Sequence, residues 1–179
     1  MVDYGLKDRV ALVSGANNPQ GIGATTAFAF AREGAKVVLV YKRIPRLFDK
    51  AKTDRNGADR YFQANAGNAD AVESKLQEMG ADYLIIESDI SNEDAVKEIY
   101  SKTLERYGKV DILVNNAADP GPTQTGWIDD DFEKEVIPII PMGKLIQPQD
   151  IADTILFLAS EQARMLTGQV IKVSGGHAL

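Results

Sequence analysis

Residues 10–24 read VALVSGANNPQGIGA: an apolar run ends in a glycine-rich turn, and the turn opens directly into the small-residue run TTAFAFAREG. That order predicts strand, turn and helix. The first turn of a helix carries unpaired backbone N–H groups, with the positive end of the helix dipole behind them, and together they seat a phosphate. Gly15 lets the chain reverse after the strand, while Gly21 and Gly23 let the backbone approach a pyrophosphate and let helix pack on sheet. With Ser14, Asn17, Gln20 and Ile22 they form a candidate dinucleotide site. A glycine-rich connection without a ligand would carry the same glycines. The strand-turn-helix context favours the nucleotide.

Outward from this stretch, Val10 to Val13 is the continuous apolar run of a strand buried on both faces of a parallel sheet. A helix from Ile22 to Glu33 stops at Gly34, and a second buried strand, KVVLVY, runs from Lys36 to Tyr41. Strand, helix and strand in about 30 residues make one right-handed crossover unit. An acid at the end of the second strand would accept from a ribose 2′-OH, whereas a base suits a 2′-phosphate. Tyr41-Lys42-Arg43 offers no acid, which favours NADP(H) over NAD(H). The same cations also fit the start of a solvated loop, because Arg46, Lys50, Lys52, Arg55 and Arg60 continue the basic run.

From Ile44 to Asn68 the periodicity fades, and the segment reads as a long flexible excursion over the adenosine end, with Tyr61 and Phe62 placed to pin it. A helix is expected from Asp70 to Met79, closed by Gly80, then a third strand from Tyr83 to Glu87. Ser91 and Asp94 have capping-box spacing ahead of the apolar face Val96, Ile99, Tyr100, Thr103 and Tyr107. Asp89, followed by Ile90, stands where open α/β sheets bind ligands, and its carboxylate suits an adenine amino group; it equally suits a turn leading into the helix. A fourth strand, Val110 to Val114, runs into Asn115-Asn116-Ala117-Ala118. Two amides directly after a buried strand need backbone or ligand partners.

Composition bounds the rest. The 179 residues are 44% apolar and 26% charged, enough for one substantial core in a single domain spanning residues 1–179. A net charge of -6 and a pI near 4.9 argue against nucleic acid or an acidic membrane surface. Without cysteine there are no disulfides, no thiolate chemistry and no Cys-bound metal, and no metal site is expected. The charged start MVDYGLKDRV and the lack of an apolar run near 20 residues point to a cytoplasmic protein.

Four motifs in order resemble the short-chain dehydrogenase/reductase family, and its 3-oxoacyl-[acyl-carrier-protein] reductase-like members in particular. The first turn resembles T-G-x-x-x-G-I-G, with Ser14 for Thr and two extra residues among Asn17 to Gln20. The other three are the Asp89-Ile90 pair, VDILVNNAA with Ala118 for the usual Gly, and the last-strand signature from Thr167 to Gly176 with its Gly-Gly ending. The resemblance implies a Rossmann-type doubly wound parallel sheet in three α/β/α layers. It places Asp89 and Ile90 at adenine, Asn116 and Ala117 along the cofactor ribose, and Asn115 as a brace of the central sheet. It makes Pro120-Gly121 the turn whose following residues, Thr123 and Thr125, meet the nicotinamide carboxamide and phosphate. Residues 126–147 become a substrate lid with a helix starting at Asp129 to Asp131, and Pro148 and Asp150 open the helix IADTILFLAS. The lone His177 reads as a surface residue.

In this family a Tyr-x-x-x-Lys pair on one helix face and a Ser on the preceding strand carry the chemistry. The Lys cation lowers the phenol pKa, so that Tyr passes a proton to or from the substrate oxygen during hydride transfer. The tyrosines at 4, 41, 61, 83, 100 and 107 have no Lys four residues on. The chain therefore carries no catalytic residue of that pattern. The NNAA motif and the P-G turn are almost adjacent, although at about 30 residues per unit on the order of 60 or more should separate them. Deleting the fifth and sixth strands would leave the last strand about 14 Å from the fourth, at ~4.8 Å per strand, and so unpaired. The economical reading is that a segment near Asp119 to Gly121 of the intact protein is missing from this sequence.

Three readings follow. The first is an NADP(H)-dependent reductase or dehydrogenase interconverting a ketone and a secondary alcohol, with its catalytic residues in the missing segment. Homo-oligomers, dimers or tetramers, are implied by resemblance, and 3-oxoacyl thioesters, steroids, sugars and small ketones stay open as substrates. The second is a complete, non-catalytic NADP(H)-binding protein. The third is a subunit that folds only in a hetero-assembly. The first predicts that the protein isolated from its source has an intact mass well above 19.5 kDa; a mass equal to 19.5 kDa would contradict it.

Overall fold

The computed structural model describes residues 3–54, 57–118 and 130–177. Strands and helices alternate as β1 (Val10–Ser14), α1 (Ile22–Arg32), β2 (Lys36–Tyr41), α2 (Ala58–Ala66), α3 (Asp70–Glu78), β3 (Tyr83–Glu87), α4 (Glu93–Tyr107) and β4 (Ile112–Val114). After them come α5 (Asp130–Val136), a 3-10 turn (Ile137–Ile139) and α6 (Pro148–Ala159). The described strands form one parallel sheet in the order β3-β2-β1-β4.

The inner strands explain the apolar runs. Every residue of β1, and all of β2 after Lys36, is buried, because helices cover both faces. Successive side chains leave a strand on opposite faces. Ala11, Val13, Val37 and Leu39 join Phe28 of α1, Leu76 of α3 and Leu156 of α6 in the larger core. Val10, Leu12, Val38 and Val40 join Ile86 and Ile99 of α4 in the smaller one. The edge strands are less covered. Leu113 of β4 pairs with the inner residue Leu12 and is still 46% exposed.

The strand boundaries of β2 and β3 coincide with the sequence reading, and α1, α3 and α6 do so within a residue or two. Four features differ. The stretch 44–68 is not a structureless excursion, since α2 occupies Ala58–Ala66. The cap of α4 is Asn92, whose Oδ1 accepts from the Ala95 N–H at 3.0 Å, and not Ser91. The Ser91 hydroxyl is drawn away by the Asp89 carboxylate, to which it donates at 2.7 Å. The fourth strand begins at Ile112, because the Asp111 carboxylate is held by Lys109 at 2.9 Å and accepts the Val10 N–H at 2.8 Å.

The fourth difference concerns the stretch from Thr167 to Gly176, which forms no strand. Val170 is 91% exposed there. A strand exists only with a neighbour to take its N–H and C=O groups, and none of the described strands lies beside this stretch. Its Gly-Gly ending serves packing instead. A Cβ on Gly175 would lie 2.9 Å from Ile140 Cγ2, and the Gly175 carbonyl accepts the Met142 N–H at 3.1 Å.

The burial pattern predicts unequal costs of truncation. Leu76 is fully buried in the larger core, so Leu76→Ala should destabilise the chain by about 2–5 kcal/mol in urea unfolding. Leu113→Ala should cost much less. Equal losses would contradict this core.

Candidate functional site

The carboxyl ends of the strands converge on one cleft of about 690 Å³. Its floor is the turn between β1 and α1, where the geometry leaves no room for a side chain at Gly15 or Gly23. Gly15 has φ +71°, and a Cβ there would fall 2.7 Å from Ala117 Cα. A Cβ on Gly23 would fall 2.5 Å from the Gly15 carbonyl oxygen and 2.6 Å from Asn116 Nδ2. Glycine is thus required at both positions, at Gly15 by backbone handedness as well as by space. The first turn of α1 holds no acidic residue, so no carboxylate competes for its unpaired N–H groups, and Ile22 and Gly23 of that turn line the cleft.

A bracket fixes that turn to β4. Ser14 is buried; its Oγ donates to the Val114 carbonyl at 3.3 Å and accepts the N–H groups of Asn116 and Ala117, both at 3.1 Å. Asn116 Nδ2 donates to the carbonyls of Ser14 at 2.9 Å and Gly15 at 3.0 Å. The brace expected of Asn115 is therefore supplied by Asn116, while Asn115 is exposed. Such bonds satisfy an amide that would otherwise be costly to bury.

A second clamp holds α2. Asn17 Nδ2 donates to the carbonyls of Asn65 at 3.2 Å and Gly67 at 3.0 Å, which belong to the open C-terminal end of the helix. The Ile44 N–H also reaches the Asn65 carbonyl, at 3.0 Å. This clamp brings Tyr61 and Asn65 to the cleft wall.

Of the residues proposed from sequence, Gly15, Asn17, Gly21, Ile22 and Gly23 line the cleft. So do Tyr41, Lys42 and Arg43 after β2, Asp89 and Ile90 after β3, and Asn116 and Ala117 after β4. Ser14 and Gln20 do not: Ser14 lies beneath the floor, and the Gln20 N–H turns to Asn18 Oδ1 at 3.0 Å. Pro120, Gly121, Thr123 and Thr125 lie outside the described residues. Sequence reading missed Asn65 as a lining residue; its i,i+4 spacing from Tyr61 is the signal that would have placed both on one helix face.

The cations at the rim are paired. Lys42 Nζ meets Asp89 Oδ2 at 2.5 Å, and Arg43 Nε meets Glu87 Oε1 at 2.7 Å. Lys42 first, and then the Ser91 hydroxyl and N–H, hold the Asp89 carboxyl far below the usual carboxylate range. Arg43 lowers Glu87 in the same way. Burial, followed by the Glu87 charge, pushes the Tyr41 phenol up. Among the described residues there is no cluster of three or more His, Cys, Asp or Glu fit to hold a metal, and no helix is long and apolar enough to cross a membrane.

Comparison with known proteins bears on this geometry. The family model described as Enoyl-(Acyl carrier protein) reductase matches residues 53–129 and 119–178, together more than half of the chain. An uncharacterized oxidoreductase of Thermotoga maritima is 37% identical over 113 residues, which are 63% of this chain and 35% of that protein. The 3-oxoacyl-[acyl-carrier-protein] reductase of Synechocystis is 32% identical over 112 residues, 63% of this chain and 36% of that protein. The matches thus span about a third of these relatives' length. A 7α-hydroxysteroid dehydrogenase solved with NADH and 7-oxo glycochenodeoxycholic acid superposes with a TM-score of 0.73 at 21% identity, over 96% of this chain and 95% of that one. That likeness is one of fold.

Because folding lowers the Asp89 and Glu87 pKa values, their pairs stabilise the folded chain fully above the ordinary carboxylate range near pH ~4, and that contribution is lost as pH falls through the lowered values. An NMR titration of the Asp89 carboxyl carbon should therefore show a midpoint below the reference of ~3.9, rising towards it in Lys42→Gln. A midpoint at or above ~3.9 in the unmutated chain would contradict the pairing.

Proposed function

The chain belongs to the short-chain dehydrogenase/reductase family of oxidoreductases, and we propose on that footing that it forms the dinucleotide-binding part of an NADP(H)-dependent enzyme interconverting a ketone and a secondary alcohol. One observation supports this reading above the others: four stretches far apart in sequence, at residues 15–23, 41–45, 88–91 and 116–118, line one cleft at the carboxyl ends of a parallel sheet. Its volume lies in the range of small-molecule sites.

In this reading the N–H groups at Ile22 and Gly23 bind the diphosphate, and Gly15, Asn17 and Gly21, whose N–H closes the turn onto the Asn18 carbonyl at 2.9 Å, shape the turn around it. Asp89 and Ile90 take adenine. Lys42 and Arg43 favour a 2′-phosphate, and Asn116 and Ala117 border the nicotinamide-side ribose. Ser14 works from below by fixing the turn, while Pro120, Gly121, Thr123 and Thr125 belong to the nicotinamide end. A bound nicotinamide supplies or accepts the hydride.

The proton-transferring Tyr and Lys, with the Ser that polarises the carbonyl, are assigned to a segment of the intact protein missing near Asp119 to Gly121. The split of the family match near residues 119–129 favours that location. The same reading makes 126–147 a substrate lid in a single domain and the intact protein a cytoplasmic homo-oligomer, up to a tetramer.

NADPH should raise the thermal midpoint of the protein more than NADH does at equal concentration, and the intact protein should oxidise NADPH in the presence of some ketone. A larger shift with NADH would overturn the cofactor choice. NADPH binding with no turnover in the intact protein would instead favour a non-catalytic nucleotide-binding role.

A further inference from the structure

Glu87 belongs to none of the motifs that define the cleft, and it does not line it. It ends β3 directly opposite Tyr41 of β2, and its two oxygens are both engaged. Oε2 accepts the Tyr41 hydroxyl at 3.3 Å, and Oε1 accepts Arg43 Nε at 2.7 Å. Arg43 does line the cleft. The guanidinium is thus held through its inner nitrogen by a carboxylate outside the lining, and a bond through Nε leaves the terminal nitrogens for another partner. Those two nitrogens form the edge that grips a phosphate in bidentate fashion.

The neighbouring cation is placed differently. Lys42 meets Asp89, a carboxylate that itself lines the cleft, so its charge is already countered within the space a ligand would enter. Arg43 has its counter-charge behind it. A phosphate in the cleft would meet the cation before the carboxylate.

We infer that Glu87 is a positioning residue that presets Arg43 as the reader of a dinucleotide's 2′-phosphate, through the chain Tyr41–Glu87–Arg43 built across the β2/β3 pair. The inference rests on the NADP(H) reading above and names the residue that sets its selectivity. A free arginine side chain loses much rotamer freedom on binding, and a side chain already held in place loses less. The gain should fall on ligands with a 2′-phosphate and not on those with a 2′-OH.

The test uses two fragments, 2′,5′-ADP and 5′-AMP, titrated calorimetrically into the full chain. The unmutated chain should bind 2′,5′-ADP more tightly. Glu87→Ala should weaken 2′,5′-ADP by roughly three- to tenfold, the scale of one charge-assisted contact in a wet cleft, with 5′-AMP nearly unchanged. Glu87→Gln, which keeps an acceptor for Arg43 Nε, should recover part of the loss. In an Arg43→Gln background Glu87→Ala should have no further effect. A mere structural role would weaken both ligands together. If the unmutated chain does not prefer 2′,5′-ADP, the NADP(H) reading falls and this inference with it. If it does prefer it and Glu87→Ala keeps or increases the preference, the inference alone is overturned.

Discussion

A single buried hydroxyl ties the ends of two neighbouring strands together. Ser14 Oγ bonds to the Val114 carbonyl and to the N–H groups of Asn116 and Ala117, and Asn116 returns two bonds from its amide to the carbonyls of Ser14 and Gly15. The interlock leaves no space at Gly15 or Gly23, where a Cβ would meet Ala117, Asn116 or the turn itself below 3 Å. The path of the turn is therefore fixed before any ligand arrives, and with it the direction of the first N–H groups of α1. A turn fixed in this way would lose little freedom on meeting a ligand.

The electrostatics of the cleft follow from the same economy. The chain carries a net charge of -6, and an anionic ligand would approach against that field. What would draw it in is local: a helix N-terminus without an acid in its first turn, and two cations at the end of β2. Each cation is matched by a carboxylate from the β3 side, so the rim is balanced when nothing is bound. Exposed pairs of this kind contribute little to stability, and their value lies in placing charge.

Sequence made the inner strands legible because burial on both faces leaves an unbroken apolar signature, as in KVVLVY, and the glycine turn legible because its spacing answers to backbone geometry. It was less informative where a tertiary bond decides the outcome. Helix α2 is short, has no buried residue, and is held by Asn17 from 48 and 50 residues away, which no local pattern announces. Ser91 looked like a cap until Asp89 claimed its hydroxyl. Glu87 read as the polar end of a strand, and only the register that sets it beside Tyr41 reveals its grip on Arg43. At Thr167 to Gly176 the local signal for a strand was present and the neighbour was not, so the backbone took another course.

The proposed function depends on the α1 N-terminus acting as the seat of a diphosphate. The most direct measurement is an amide 15N–1H titration of the full chain with NADPH. The largest shifts should fall at Gly15 and at Gly21 to Ala24, with smaller ones at Asp89 and Asn116. Shifts confined to the outer faces of α3 or α6, or no shifts at all, would contradict it.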